Sequence, residues 1–372
     1  MNREMLLDAI RRVSGAMKTM KNEGMREIYP IGLIDIHLWE WPQGVGLYGL
    51  YQYFEHTGDP DALRFLLDWY DARIREGLPE RNVNTCSPLL TLIRLGLKTG
   101  REDFLHVCED WSRWIMDPVS GLIRTGDGAF QHMITGDPND GQMLIDTLFM
   151  TVLFLAKAGV AFGRPDYVEE AVRQFLVHIK YLHDRRTGLF FHGWDFNGRH
   201  NYGAVRWGRG NGWYTAGVVE FLDIVEPGPA VRDYLLDTFR GQVRALASLQ
   251  AEDGMWHTVL DDPSSYKETS CTAAFAYGIL KGVRLGYLPE EFLPVGRKAL
   301  RAVLDRIDES GIVREVSYGT PVGPDVQFYK EIPISPMTYG QALALLVLIE
   351  GLRHADAAER QAAPSREGGG KP

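Results

Sequence analysis

The feature that most constrains this chain is an alternation of two kinds of helical segment. Apolar residues recur at three- and four-residue spacing over 3–21, 43–57, 60–76, 86–99, 102–115 and 143–162. They do so again over 165–184, 210–225, 230–250, 270–286, 290–308 and 337–354. That spacing predicts twelve helices. Every second one is small or apolar nearly all round: GVGLYGLYQYFEHTGDP, SPLLTLIRLGLKTGRED, TLFMTVLFLAKAGVAFGRPD, WYTAGVVEFLDIVEPG, TAAFAYGILKGVRLGYLPEE and YGQALALLVLIEGLRHAD. A helix that is apolar on all sides must be buried on all sides. The intervening segments, such as DALRFLLDWYDARIREG and YVEEAVRQFLVHIKYLH, carry one charged face and belong outside. Glycine near the end of each inner segment is a C-cap signal.

Comparable residues of the inner segments (Gly46, Leu89, Leu148, Trp213, Thr272 and Tyr339) are 43, 59, 65, 59 and 67 residues apart. This period is too long and irregular for a short solenoid repeat, and no terminal capping repeat is visible. Six inner and six outer helices predict an all-α fold, an (α/α)6 barrel or six-hairpin toroid, with residues 1–356 as one domain. The polar, Gly/Pro-rich run from Ala357 predicts a disordered tail over 357–372. The outer-to-inner connections are the long ones: 22–42, 77–85, 116–142, 185–209, 251–269 and 309–336. They gather at the N-terminal ends of the inner helices. Strand-like alternation at Leu189–His192 and Ile312–Val316 predicts short β-hairpins on that face. Loops held by a rigid scaffold are where chemistry usually sits.

Several function classes are disfavoured. Forty Lys and Arg against 49 Asp and Glu give a net charge of −9, with no basic run. Nucleic acid and anionic lipid are poor partners for such a chain. No apolar stretch reaches the ~18 residues of a membrane span, and Glu4 and Asp8 interrupt the N-terminal apolar residues, which do not read as a signal peptide. Three cysteines without a CxxC spacing predict neither a disulfide framework nor structural zinc, and point to the cytoplasm. Gly44-Val-Gly46-Leu-Tyr-Gly49 matches GxGxxG but follows Trp-Pro-Gln, not a strand, so close helix packing is the better reading. The ten histidines contain no HExxH. Neither cofactor nor metal is expected.

Four groups of residues could carry chemistry at the expected mouth. Asp146 is an ionisable group inside the apolar run Met143–Met150. Burial would raise its pKa and poise it as a general acid. An N-cap role is the equally weighted alternative. In Trp207-Gly-Arg209-Gly-Asn211-Gly-Trp213, Arg209 and Trp213 are one turn apart. A guanidinium that pairs with carboxylates and a flat indole together suit an acidic sugar. His192 and Trp194 fall in Phe191-His192-Gly-Trp194-Asp195. Trp41 precedes the first inner helix and Asn84 the second; each is a candidate sugar contact, with capping or turn roles as alternatives.

The segments WPQGVGLYGLYQYFEHTGD, MLIDTLFMTVLFLAKAG, FHGWD, RWGRGNGWYTAGVVEFLDIV, DGMWHTVLDDPSSYKETSCTAAFAYGILKG and SPMTYGQALALL resemble the unsaturated rhamnogalacturonyl hydrolases, glycoside hydrolase family 105. The resemblance runs from about residue 39 to 346. It implies the same barrel, and action on oligosaccharides whose non-reducing end is a 4,5-unsaturated galacturonic acid on rhamnose. It also implies that one aspartate protonates C4 of the enol ether and then helps deliver water to C5. Asp146 matches that acid/base position; His192, Arg209 and Trp213 match substrate-contacting ones. Two departures stand out. Leu144 replaces a tryptophan found in some relatives, and Asn82 and Asn84 stand where related glucuronyl hydrolases carry a further aspartate.

Three rival readings differ in the residues they need. A sugar epimerase on the same toroid would use His192 and His257 as a facing pair. An inverting glycosidase would need Asp146 with Asp253 or Asp195. A non-catalytic sugar-binding protein would need no poised carboxyl.

Overall fold

The computed structural model describes residues 1–20 and 35–362; most of the expected 22–42 connection lies outside them. The helices are α1 Arg3–Thr19, α2 Trp41–Thr57, α3 Pro60–Glu76, α4 Leu89–Thr99, α5 Glu102–Met116, α6 Leu153–Ala161 and α7 Pro165–Leu182. They continue as α8 Gly208–Ile224, α9 Pro229–Leu249, α10 Thr269–Arg284, α11 Leu293–Leu304, α12 Val326–Lys330 and α13 Thr338–Ala362. The inner ring is α2, α4, α6, α8, α10 and α13. Each packs against the next, and α13 packs against α2 to close the circle. Outside, α3, α5, α7, α9 and α11 lie on the inner helices that precede them, and α1 lies on α13. This is the expected toroid.

Burial follows the two segment types. Every residue of α10 from Thr269 to Gly282 is buried, as is α8 from Gly208 to Leu222. The outer helix α3 buries only Ala62, Leu66, Trp69 and Tyr70. Close approach inside the ring needs small residues. A methyl group on Gly278 would sit 2.4 Å from the Thr215 carbonyl oxygen, so only glycine lets α10 lie this close to α8. The GxGxxG glycines do the same work on α2, facing Ser87, Met17 and Leu345.

The pole where the inner helices end holds a buried charge cluster. Glu220 is paired with Lys281 at 2.8 Å, both essentially inaccessible, and accepts hydrogen bonds from Tyr48 at 2.5 Å and from Tyr277. Burial pushes the Glu220 carboxyl up, but the charges of Lys281 and Arg94 and the hydrogen bonds outweigh it and bring it to about 2.

The structure corrects three expectations. The segment 143–162 is not one helix: Gln142–Leu144 is a strand, Leu148–Val152 is a π-helical turn, and α6 starts only at Leu153. A short apolar run reads alike for a buried strand and a buried helix, which is why its periodicity misleads. The last inner helix runs on to Ala362, so residues 357–362 of the expected tail are helical, and 363–372 lie outside the described residues. The strands fall beside the expected ones: β1 Gln142–Leu144, β2 Gly193–Asp195, β3 Trp256–His257 and β4 Lys267–Glu268. Of the expected segments, Phe190 and Val313 make only isolated bridges, with His183 and Ile307.

Candidate active site

The loop face is organised by the antiparallel pair β1 and β2, with Met143 opposite Trp194. Just beyond the pair, the Ile145 amide donates to the His192 carbonyl at 3.1 Å. This register brings Asp146 beside His192, although 46 residues separate them. The Asp146 carbonyl then accepts from the amides of Phe149 at 3.1 Å and Met150 at 3.0 Å, starting the π-helical turn. Its carboxyl oxygen Oδ2 is closed off from solvent, and the side chain caps no helix amide. The N-cap reading is therefore set aside.

His192 Nε2 lies 3.4 Å from Asp146 Oδ2. Its ring packs on Trp207 at 4.2 Å between centroids, and Nδ1 lies 2.8 Å from the Tyr329 hydroxyl. His132 comes from the 116–142 loop and places Nδ1 2.9 Å from the Thr147 hydroxyl. Burial pushes His132 down to about 4, so it is neutral at pH 7. Burial alone would raise the Asp146 carboxyl. The hydrogen bond from His192, then the positive charge of Arg209, outweigh burial and hold it below the usual carboxylate range. This corrects the raised pKa expected from an apolar setting.

Arg209 is 1% exposed. One terminal nitrogen donates to the Ser317 carbonyl at 2.9 Å and lies within reach of the hydroxyls of Ser270 and Ser317; the other donates to the Tyr318 carbonyl at 2.9 Å and to Thr320 Oγ1 at 3.1 Å. The guanidinium is sandwiched between Trp207 at 4.4 Å and Tyr339 at 4.6 Å. Its terminal N–H groups are thus already engaged, and it makes no ion pair among the described residues. Arg209 ties the 317–320 segment to α8 and sets an unneutralised positive charge in the cavity wall. It is not a free bidentate fork.

These groups surround a cavity of about 140 Å³. Trp41, Asn84, His132, Asp146, Trp207 and Arg209 line it, with Gly319–Val322 on one side. Trp41 and Asn84 stand where the sequence put them. Trp213 does not line the cavity: it is fully buried one layer down, edge-on to Trp41 at 5.8 Å, while Trp41 stacks on Tyr339 at 4.8 Å. Trp194 does not line it either, and packs on Tyr181 at 5.2 Å. His192 is 3% exposed and reaches the cavity only through Asp146. Sequence reasoning left out Trp207, His132, Thr320 and Tyr329 as site residues. The signal available was loop length, since 116–142 and 309–336 are the longest connections.

The rival assignments find little support in this geometry. Among the described lining residues the carboxylates are Asp146 and Asp137, and Asp137 is exposed at the rim. Asp253 pairs with Lys267 and Arg306, and Asp195 accepts the amides of Asn197 and Gly198, all away from the cavity. His257 faces the Ser265 carbonyl and does not line the cavity, so His192 and His257 do not form a pair across it.

A closed double ring of helices with one half-buried carboxylate in its mouth is an α/α toroid carrying a single candidate acid at its loop face. The chain belongs to Glycosyl Hydrolase Family 88, whose model matches residues 10–355. It is 33% identical over 318 residues to the unsaturated rhamnogalacturonyl hydrolase YesR of Bacillus subtilis (strain 168), covering 85% of this chain and 90% of that one. A crystal structure described as a possible member of the GH105 family, from Klebsiella pneumoniae subsp. pneumoniae, is similar at 43% identity and a TM-score of 0.91, covering 95% of this chain and 94% of that one. The unsaturated glucuronyl hydrolase of Bacillus sp. GL1 shares the fold at 19% identity and a TM-score of 0.68, covering 95% of this chain and 97% of that one.

Proposed function

We propose that the protein removes a 4,5-unsaturated galacturonic acid from the non-reducing end of pectin-derived oligosaccharides, where it is linked to rhamnose. The observation that carries this reading is the single half-buried carboxylate inside the cavity, the other lining carboxylate, Asp137, being exposed at the rim. A two-carboxylate glycosidase needs a second acid across the scissile bond. Hydration of an enol ether does not.

Asp146 gives its proton to C4, which leaves C5 electrophilic. The resulting carboxylate takes a proton from a water molecule as its oxygen attacks C5. The hemiketal opens, and the C1 bond to the next sugar is released. This sequence needs Asp146 protonated at the moment of reaction, yet the protein groups around it favour the ionised form. An anionic sugar reverses that balance in two ways. Its carboxylate offsets the charge of Arg209, and its ring displaces water from Asp146; both changes favour the protonated form. Trp41 offers a flat apolar face to the sugar, and Asn84 offers an amide. No step requires a cofactor. Residues 1–356 act as one catalytic domain, in a reducing cytoplasm that suits three free, buried cysteines.

The test is to incubate the protein with unsaturated disaccharides from pectin and from glycosaminoglycans, and follow loss of the double-bond absorbance. Turnover of the pectin product is expected. No turnover of either disaccharide would reject the reading. Asp146→Asn keeps the shape but cannot protonate C4, so kcat should fall ~10²–10⁴-fold. A folded variant with more than about a tenth of wild-type turnover would remove Asp146 from its role.

A further inference from the structure

We infer that Tyr329 is a positioning residue whose hydroxyl fixes the tautomer of His192, so that the proton on Nε2 faces Asp146. This deepens the hydrolase reading and rests on it for its consequence in catalysis. Tyr329 lies on the short helix α12 and is 1% exposed. Its hydroxyl has two neighbours, the Gly323 amide at 3.1 Å and His192 Nδ1 at 2.8 Å. A backbone N–H can only donate, so the tyrosine oxygen accepts from Gly323. Its own proton is then directed to His192 Nδ1, which must be the bare nitrogen of a neutral imidazole. The ring proton is left on Nε2, 3.4 Å from Asp146 Oδ2.

The opposite tautomer is doubly penalised. It would leave the buried tyrosine O–H without an acceptor and turn the Nε2 lone pair toward a carboxylate oxygen. The surroundings hold this arrangement. A methyl group on Gly323 would sit 2.0 Å from the Phe328 ring, so glycine is what lets the 323 amide come this close. Asp325 caps α12 by accepting from the Phe328 amide at 2.9 Å, and Trp207 packs against the imidazole. The charged and titratable groups facing Asp146 are His192, His132, Arg209, His178 and Tyr329; those facing His192 are Asp146, Tyr329 and His132. Among the described residues, the Nε2–H is the only donor positioned to approach Asp146 Oδ2. It stabilises the ionised carboxylate at rest and again after the proton has gone to C4.

The experiment labels histidine with ¹⁵N and reads ring tautomers by NMR, with His192→Asn identifying the signal. Wild type should show His192 as the Nε2–H form at neutral pH, and Tyr329→Phe should populate the Nδ1–H form. The kcat/KM profile of Tyr329→Phe should lose activity at a higher pH than wild type, because Asp146 keeps its proton longer, while KM changes less than kcat. A thermal melt checks that the variant is folded. An Nδ1–H tautomer in wild type, or an unchanged tautomer in folded Tyr329→Phe, would overturn the inference. The NMR result needs no substrate. A protein inactive on both disaccharides but with the expected tautomer shift would sink the hydrolase reading and leave the positioning role standing.

Discussion

Acidification from pH 7 to pH 5 should cost the fold several kcal/mol, through two histidines rather than through carboxylates. His132 and His178 are buried, 6% and 0% exposed, and burial brings each to about 4 from an ordinary 6.5. Between those values the unfolded chain binds a proton that the folded chain refuses. Stability therefore rises with pH through this window and falls on acidification. At pH 5 the unfolded imidazole is almost wholly protonated and the folded one mostly neutral, so each residue removes about 2 kcal/mol. His183 moves in the same direction for the same reason, whereas Glu40, held upward by burial, opposes it slightly. Depressed carboxylates such as Glu220 do not contribute here. Their stabilisation is intact above about 4.5 and is lost only as pH falls toward the folded value of about 2. The assay is urea unfolding at pH 7 and pH 5. Wild type should lose about 2–4 kcal/mol between them, and His178→Gln should lose about half as much, whatever its absolute stability. A wild-type difference below about 0.5 kcal/mol would refute the argument.

Two further substitutions probe the scaffold. Arg209→Lys replaces a planar fork holding three loop residues with a single ammonium, so we expect a loss of ~2–4 kcal/mol in denaturant unfolding and a fall in kcat/KM; wild-type stability in this variant would contradict the tethering role. Lys281→Met leaves Glu220 buried and partly unpaired, which should cost ~3–5 kcal/mol; adding Glu220→Leu should recover over half of that, and failure to recover any would show that the pair is not the source of the loss.

The ring was legible because its signal is repetitive. Six all-round apolar segments can only be buried together, and inner and outer roles follow from the charged faces of their partners. What was not legible depends on contacts between distant loops. Asp146 could be singled out as an acid in an apolar run, but its ionised state follows from His192 and Arg209, which only the folded register brings near. Trp213 looked like a sugar platform because sequence does not tell a residue facing the cavity from one a layer below it; Trp41 takes the upper position. Tyr329 and Thr320 sit in a long connection without periodicity, and α12 is too short to leave a helical pattern.

The way the ring closes also bears on how the protein can be made. The partner of α13 is α1, and an Arg3–Asp356 ion pair at 2.8 Å joins positions 353 residues apart. The sixth hairpin is thus a clasp fastened by the two ends of the helical sequence, while the other five are local. A chain emerging from the ribosome can assemble those five in order, but α2 keeps one apolar flank uncovered until α13 has left the exit tunnel. Chains halted before α13 should accordingly be strong clients for chaperones that bind exposed apolar surface. The same geometry makes the order of the hairpins exchangeable. A permuted gene that links the two ends and opens the chain at the exposed turn around Gly58 would make the clasp local and the α2–α3 pair the last to fasten.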